Sequence, residues 1–163
     1  MKSGRIAILV VMGLIVATFT TTVLAQVHHE IALTRAEIQT ERQAIVADNL
    51  PLTEEQSKVF WPLYREYRAE LAKLGDRFIS LVEGYAKNYD TLTDPQAQAM
   101  ITDFFAIQKD EVSIKTRWVP KLGKVLPPKA LARFFQIENK LDIIVRYQIA
   151  DEIPLVEHAP QKK

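Results

Sequence analysis

The sequence predicts an all-α domain of four helices, and three observations carry that prediction. First, the pattern Leu-Thr-x-x-Gln occurs twice, at Leu52-Thr53-Glu54-Glu55-Gln56 and at Leu92-Thr93-Asp94-Pro95-Gln96. A threonine three residues before a glutamine is a capping box, in which the hydroxyl accepts from the third helical N–H and the glutamine side chain returns to the threonine N–H. Each copy therefore reads as a helix start. Second, Phe60, Tyr64, Tyr67, Leu71, Leu74, Phe78, Leu81 and Tyr85 fall alternately four and three apart, which keeps one apolar seam on one side of a long helix. Third, the chain has no cysteine. Disulfides, thiolate nucleophiles and thiolate metal sites are excluded, so helix packing has to supply the stability.

The first 25 residues are set aside from the fold. Lys2 and Arg5 precede an apolar run from Ile6 to Phe19, and Val23-Leu24-Ala25 precedes a cleavage point, the pattern of a secretory signal peptide. The alternative is an uncleaved anchor, but the run falls short of the roughly 20 residues that a spanning helix needs. Residues 26–163 are then expected to form one all-α domain with flexible termini, periplasmic and with no stable membrane insertion after processing. Removing Lys2 and Arg5 takes the formal charge from +1 to −1. No global attraction to nucleic acid survives that change.

Helix 1 is expected from about 35 to 49. Thr34 and Glu37 form a third capping box, Ile38, Ala44, Ile45 and Val46 give a narrow apolar stripe, and Pro51 stops the helix. Helix 2 is expected over 54–88, with Pro62 inside it as a bend and Gly75 and Gly84 lowering its intrinsic propensity. Helix 3 is expected over 94–125. Pro95 suits its first turn, Pro120 is a second internal break, and Val112 and Ile114 point to different faces. Pro128 opens helix 4, expected to about 151, whose wide apolar face runs from Leu131 to Ile149. With helices 2 and 3 antiparallel about the turn near Asp90–Thr93, Pro62 and Pro120 come to similar height. The expectation is a long bent antiparallel hairpin in a thin cradle-like layer.

Two Leu-Thr-x-x-Gln motifs, at Leu52, Thr53 and Gln56 and at Leu92, Thr93 and Gln96, in an exported, cysteine-free helical chain of this size resemble the periplasmic Spy/CpxP family. The resemblance covers roughly Thr34 to Asp151. It implies four helices, a bent hairpin pairing into a cradle-shaped homodimer, and an ATP-independent chaperone or envelope-stress modulator that binds partly unfolded envelope proteins. Relatives that respond to zinc or nickel make a metal-responsive periplasmic regulator the alternative, and a partner of a sensor protein a third. The chain departs from the pattern at Leu126–Ala130 and in its aromatic helix 2.

No catalytic constellation is present, and an enzyme is not expected. Glu138 and Asp142, one turn apart, read as carboxylates on a solvated helix face. Cleavage after Ala25 makes His28 the third residue, where a free amine, two backbone nitrogens and the imidazole can hold Cu(II) or Ni(II) in a square plane. No other cofactor is implied. From Val112 to Ile137 there are six basic residues and no acidic one. Lys115, Arg117, Lys121 and Lys124, with Trp118 and Leu122 as apolar anchors, are the candidate client-binding surface. Apolar residues such as Val59, Leu63, Ile79, Val82, Val112 and Ile114 are further candidates for exposure on a thin layer.

Overall fold

The computed structural model describes residues 41–156. The expected signal peptide, the expected capping box at Thr34, the expected start of helix 1, the candidate metal residue His28 and the residues from Glu157 on lie outside the described residues. Within them the architecture is all-α: α1, helical over 41–49, α2 over Glu54–Asn88, a 3-10 turn at Tyr89–Thr91, α3 over Asp94–Leu122 and α4 over Pro128–Glu152.

Both repeated motifs sit at helix starts. At α2 the Thr53 hydroxyl accepts from Gln56 N–H at 3.2 Å, and Thr53 N–H donates to Gln56 Oε1 at 2.9 Å. Gln56 also donates an amide proton to the Val125 carbonyl, at 3.3 Å, which ties the start of α2 to the segment between α3 and α4. At α3 the Thr93 N–H donates to Gln96 Oε1 at 2.9 Å, and the Thr93 hydroxyl donates to that same oxygen at 2.8 Å. The helices run continuously past Pro62 and past Pro120.

α3 stops at Leu122, three residues before the expected end. Gly123 N–H still reaches Val119 O at 2.9 Å, but the next bonds run from Lys124 to Lys121 O and from Val125 to Leu122 O, tighter turns that carry the chain away. A side chain at Gly123 would crowd the Val119 carbonyl at 3.1 Å and make ordinary contact with Leu131 at 3.5 Å. α4 itself continues one residue past the expected 151.

Contacts between helices fix their directions. Tyr67 meets Trp118, Glu70 meets Arg117, Arg77 meets Asp110 and Phe78 meets Phe104, so numbers fall on α3 as they rise on α2 and the two are antiparallel. Phe60 meets Phe134, Arg68 meets Glu138, and Tyr85 meets Pro154, so α4 runs parallel to α2. α1 runs against α4, because Arg42 reaches Glu138 and Asp142 while Asn49 lies at Arg133.

The predicted seam is the centre of the core. Phe60, Tyr64, Tyr67, Leu71, Leu74 and Tyr85 are buried, and Phe78 and Leu81 are half-buried beside them. Around Phe134 the rings of Phe60, Tyr64 and Tyr67 stand at 5.5, 6.1 and 5.8 Å, all steeply inclined to it. That is the edge-to-face geometry favoured by aromatic quadrupoles. α1 adds Val46 and Leu50, and α3 adds Ile107, Ile114, Trp118 and Leu122.

Candidate functional site

The basic stretch on α3 is not the surface its sequence suggests. Ile114, Trp118 and Leu122 fall four apart, so they share the face of α3 turned to the core, and Trp118 and Leu122 are both 0 % exposed. The Trp118 ring packs at 5.8 Å against Tyr67, and Lys121 Nζ lies 4.0 Å from the ring centroid. Lys115 is held between Glu111 at 2.6 Å and Asp142 at 2.7 Å, and Arg117 pairs with Glu70 at 2.6 Å. Lys124 is exposed. Both expected apolar anchors are therefore core residues, and two of the four cations are bound to carboxylates.

The second correction concerns Glu138 and Asp142, which are not on a solvated face. Glu138 is 0 % exposed and collects Arg42 Nη1 at 3.0 Å, Arg68 Nη1 at 2.9 Å and the Tyr64 hydroxyl at 3.3 Å. Asp142 accepts from Arg42 Nη2 at 2.9 Å and from Lys115 at 2.7 Å. Glu111 joins the group through Lys115 and Arg146. One cluster thus binds α1, α2, α3 and α4 together. A buried charge is tolerated only when paired, and here every carboxylate has at least two donors.

The electrostatics make this cluster a structural clamp. Burial pushes the Asp142 carboxyl up, but Arg42 and Lys115 together outweigh it, and its pKa lies below the ordinary aspartate value. Lys115 loses stabilisation by burial and regains more from Asp142 and Glu111, so its pKa is raised. Arg42 is likewise raised, with Glu138 and Asp142 overcoming its desolvation. Burial, reinforced by Glu138, also raises the Tyr64 hydroxyl. At neutral pH Asp142, Lys115 and Arg42 are therefore charged, and the Tyr64 hydroxyl is neutral. Among the described residues no group of three or more His, Asp or Glu side chains is placed to hold a metal ion.

These shifts give the protein a pH signature. A depressed Asp142 contributes stability that is complete above the unfolded aspartate pKa and is lost as pH falls through the lower folded value. A raised Lys115 contributes stability that is complete below 10.5 and is lost as pH climbs through its folded value. Denaturant midpoints should stay flat between these limits and fall on both sides. Asp142→Asn should flatten the acid limb below about pH 4; an unchanged acid limb would show that other carboxylates control it.

The surface that remains unexplained is apolar. On α3, Ile101, Phe105 and Val112 are 54, 61 and 65 % exposed, and spacings of four and seven place them on one side of the helix. Val119, seven further on, continues the row. On α4, Ile143, Ile144 and Tyr147 are exposed together. Val59 is exposed as well, whereas Leu63, Ile79 and Val82 are half-buried and Ile114 is buried. Periodicity in α3 contained the row, since Ile101, Phe105 and Val112 lie about a third of a turn from the Ile107–Ile114–Trp118 face. It was masked because an apolar cluster at a helix start reads as core.

A groove of about 600 Å³ separates the far halves of α2 and α3, with Asp76, Arg77, Asn88, Gln96 and Asp103 among its walls. Gly84 faces open space there. The groove lining is more apolar than polar, with Leu81, Leu92, Met100 and Ile107 beside the charged groups. Among the described residues, no helix is long and apolar enough to cross a membrane. No protein-family model, curated protein or solved structure matches the chain.

Proposed function

We propose that this protein is an ATP-independent chaperone or stress modulator of the bacterial periplasm that holds partly unfolded envelope proteins. The observation that supports this reading is the apolar row Ile101–Phe105–Val112 on α3, left exposed although the same helix buries a full face of its own. A row of exposed apolar side chains along a charged surface suits extended polypeptide better than a small molecule. The Spy/CpxP resemblance supports the same activity. The cradle shape, the shared bend at Pro62 and Pro120 and the pairing into a homodimer belong to this proposal. Relative to the sequence expectation, the binding surface moves from the basic C-terminal part of α3 to the apolar row that runs from its first half to just past its midpoint.

The test is suppression of aggregation of a reduced, unfolded carrier protein without nucleotide. The mature chain should suppress it, and the double variant Phe105→Ser/Val112→Ser should lose at least tenfold in potency with helicity and melting temperature intact. Full activity in that variant, or no activity in the parent chain, would end this assignment.

A further inference from the structure

Beyond capping, the two copies of the repeated motif have different surroundings. In the first, Leu52 packs on the core and the Gln56 amide donates to the Val125 carbonyl, so the motif is closed against its own chain. In the second, Leu92 stands outside that core cluster, and with Gln96 it lines the groove between the far halves of α2 and α3. The second copy thus caps a helix and also builds a concave surface.

This groove has the length and chemistry of a site for extended polypeptide. It follows α2 over residues 76–88, roughly 18 Å of helix. At about 3.3 Å per residue, that length takes about five residues of extended chain. Leu81, Leu92 and Met100 are half-buried and Ile107 is buried, which makes them the floor, whereas Asp76 and Asp103 are exposed and form the rim. Arg77, the one cation among the described lining residues, is paired with Asp110 at 2.7 Å. The surroundings carry the same sign. Residues 76–110 hold six acidic side chains and three basic ones, whereas residues 112–137 hold six basic and no acidic ones. The field at this end of the hairpin therefore attracts cations.

We propose that the groove is a binding site for extended polypeptide in which apolar residues alternate with Lys or Arg. Successive side chains of an extended chain point to opposite faces, so one set meets the apolar floor and the other the acidic rim. The proposal rests on the reading of the protein as a holder of unfolded chain and adds the class of segment it selects. That preference is opposite in sign to the one that the basic stretch of α3 suggests. The site is also separate from the apolar row: Asp103 lies two residues from Ile101 and two from Phe105, which puts it on the opposite side of α3.

The probe is a fluorescein-labelled hexapeptide of alternating lysine and leucine, titrated with the mature protein at low salt and followed by anisotropy. It should bind saturably, at least tenfold tighter than a glutamate–leucine hexapeptide and at least tenfold tighter than a lysine–serine one. The first comparison tests the rim and the second the floor; equal binding in either overturns the proposal. Asp76→Asn/Asp103→Asn should weaken binding at least tenfold. Gly84→Leu should abolish it by filling the groove, since Gly84 belongs to the lining and an added Cβ there meets nothing within 4 Å. Leucine is also the better helix former, so α2 stays helical. Parental affinity in either variant would remove the site. Phe105→Ser/Val112→Ser keeps the two readings apart, because it should lose carrier holding and still bind the hexapeptide as the parent does; loss of hexapeptide binding there would overturn a separate groove. A parent chain that suppresses aggregation without binding the hexapeptide ends the groove proposal alone. A parent chain that binds it without suppressing aggregation ends the chaperone reading and leaves the groove standing.

Discussion

Glu138→Ala should lower the free energy of unfolding by roughly 3–5 kcal/mol. The carboxylate is fully buried and is the shared acceptor for Arg42, Arg68 and Tyr64. Removing it strands Arg42, itself 3 % exposed, with Asp142 as its remaining carboxylate partner, and leaves Arg68 with Asp142 only at 4.0 Å. The penalty comes from uncompensated buried positive charge, not from the energy of the original pairs, which desolvation largely offsets. Against a total stability of about 5–15 kcal/mol for a domain of this size, this loss is a large fraction of the whole. α1 should respond first, because Arg42 is its main polar tie to the other helices. Urea unfolding followed by far-UV circular dichroism measures the loss, and hydrogen exchange at residues 41–49 reports whether α1 detaches first. A loss below about 1 kcal/mol would mean that Glu138 behaves as an exposed helix carboxylate.

The contrast between Glu138 and the aromatic seam shows what was legible in the sequence. Periodicity named the α2 core correctly because large apolar side chains have one low-energy destination, and alternating steps of four and three leave only one face for them. The capping boxes were legible for a similar reason: both partners lie within one turn, so no tertiary information is needed. Glu138 is different. A carboxylate on a helix is ordinarily solvated, and its burial depends on Arg42, Arg68 and Tyr64 converging from 96, 70 and 74 residues away. No local pattern carries that information. In retrospect the one signal was position: Glu138 follows Phe134 by four residues and precedes Leu141 by three, and so stands on the buried face of α4.

The exposed row on α3 was legible only in part: Val112 was among the residues expected to be exposed, whereas Ile101 and Phe105 were not. Ile101, Phe105 and Val112 have the composition of a core face, and hydrophobicity alone does not say which of two apolar faces meets the neighbouring helix. The structure decides by continuity: Ile107, Ile114, Trp118 and Leu122 form the row that extends along most of α3 and meets the α2 seam. The second row has no matching seam among the described residues. This inversion moved the proposed binding surface by several turns along one helix.

Trp118→Ala therefore separates the two surfaces, and its expected effect is large. The side chain is fully buried against Tyr67 and covered by Lys121, so truncation leaves a ring-sized cavity in the centre of the α2–α3 contact. Deleting a buried aromatic ring costs about 3–5 kcal/mol through lost transfer energy plus the cavity. The melting temperature should fall by roughly 6–20 °C, given roughly 2–4 °C per kcal/mol for a domain of this length. Were Trp118 a client anchor, polypeptide holding would fall while stability stayed level. As a core residue it should show the reverse at low temperature: wherever the variant remains helical, holding of an unfolded carrier should persist, because Phe105 and Val112 are untouched. Lys121→Ala provides the calibration. It removes one exposed cation from the face of the ring, an interaction of about 0.5–1 kcal/mol at such a site, and should barely move the melting curve. A Trp118→Ala protein that melts like the parent but no longer holds the carrier would return the binding surface to the basic end of α3.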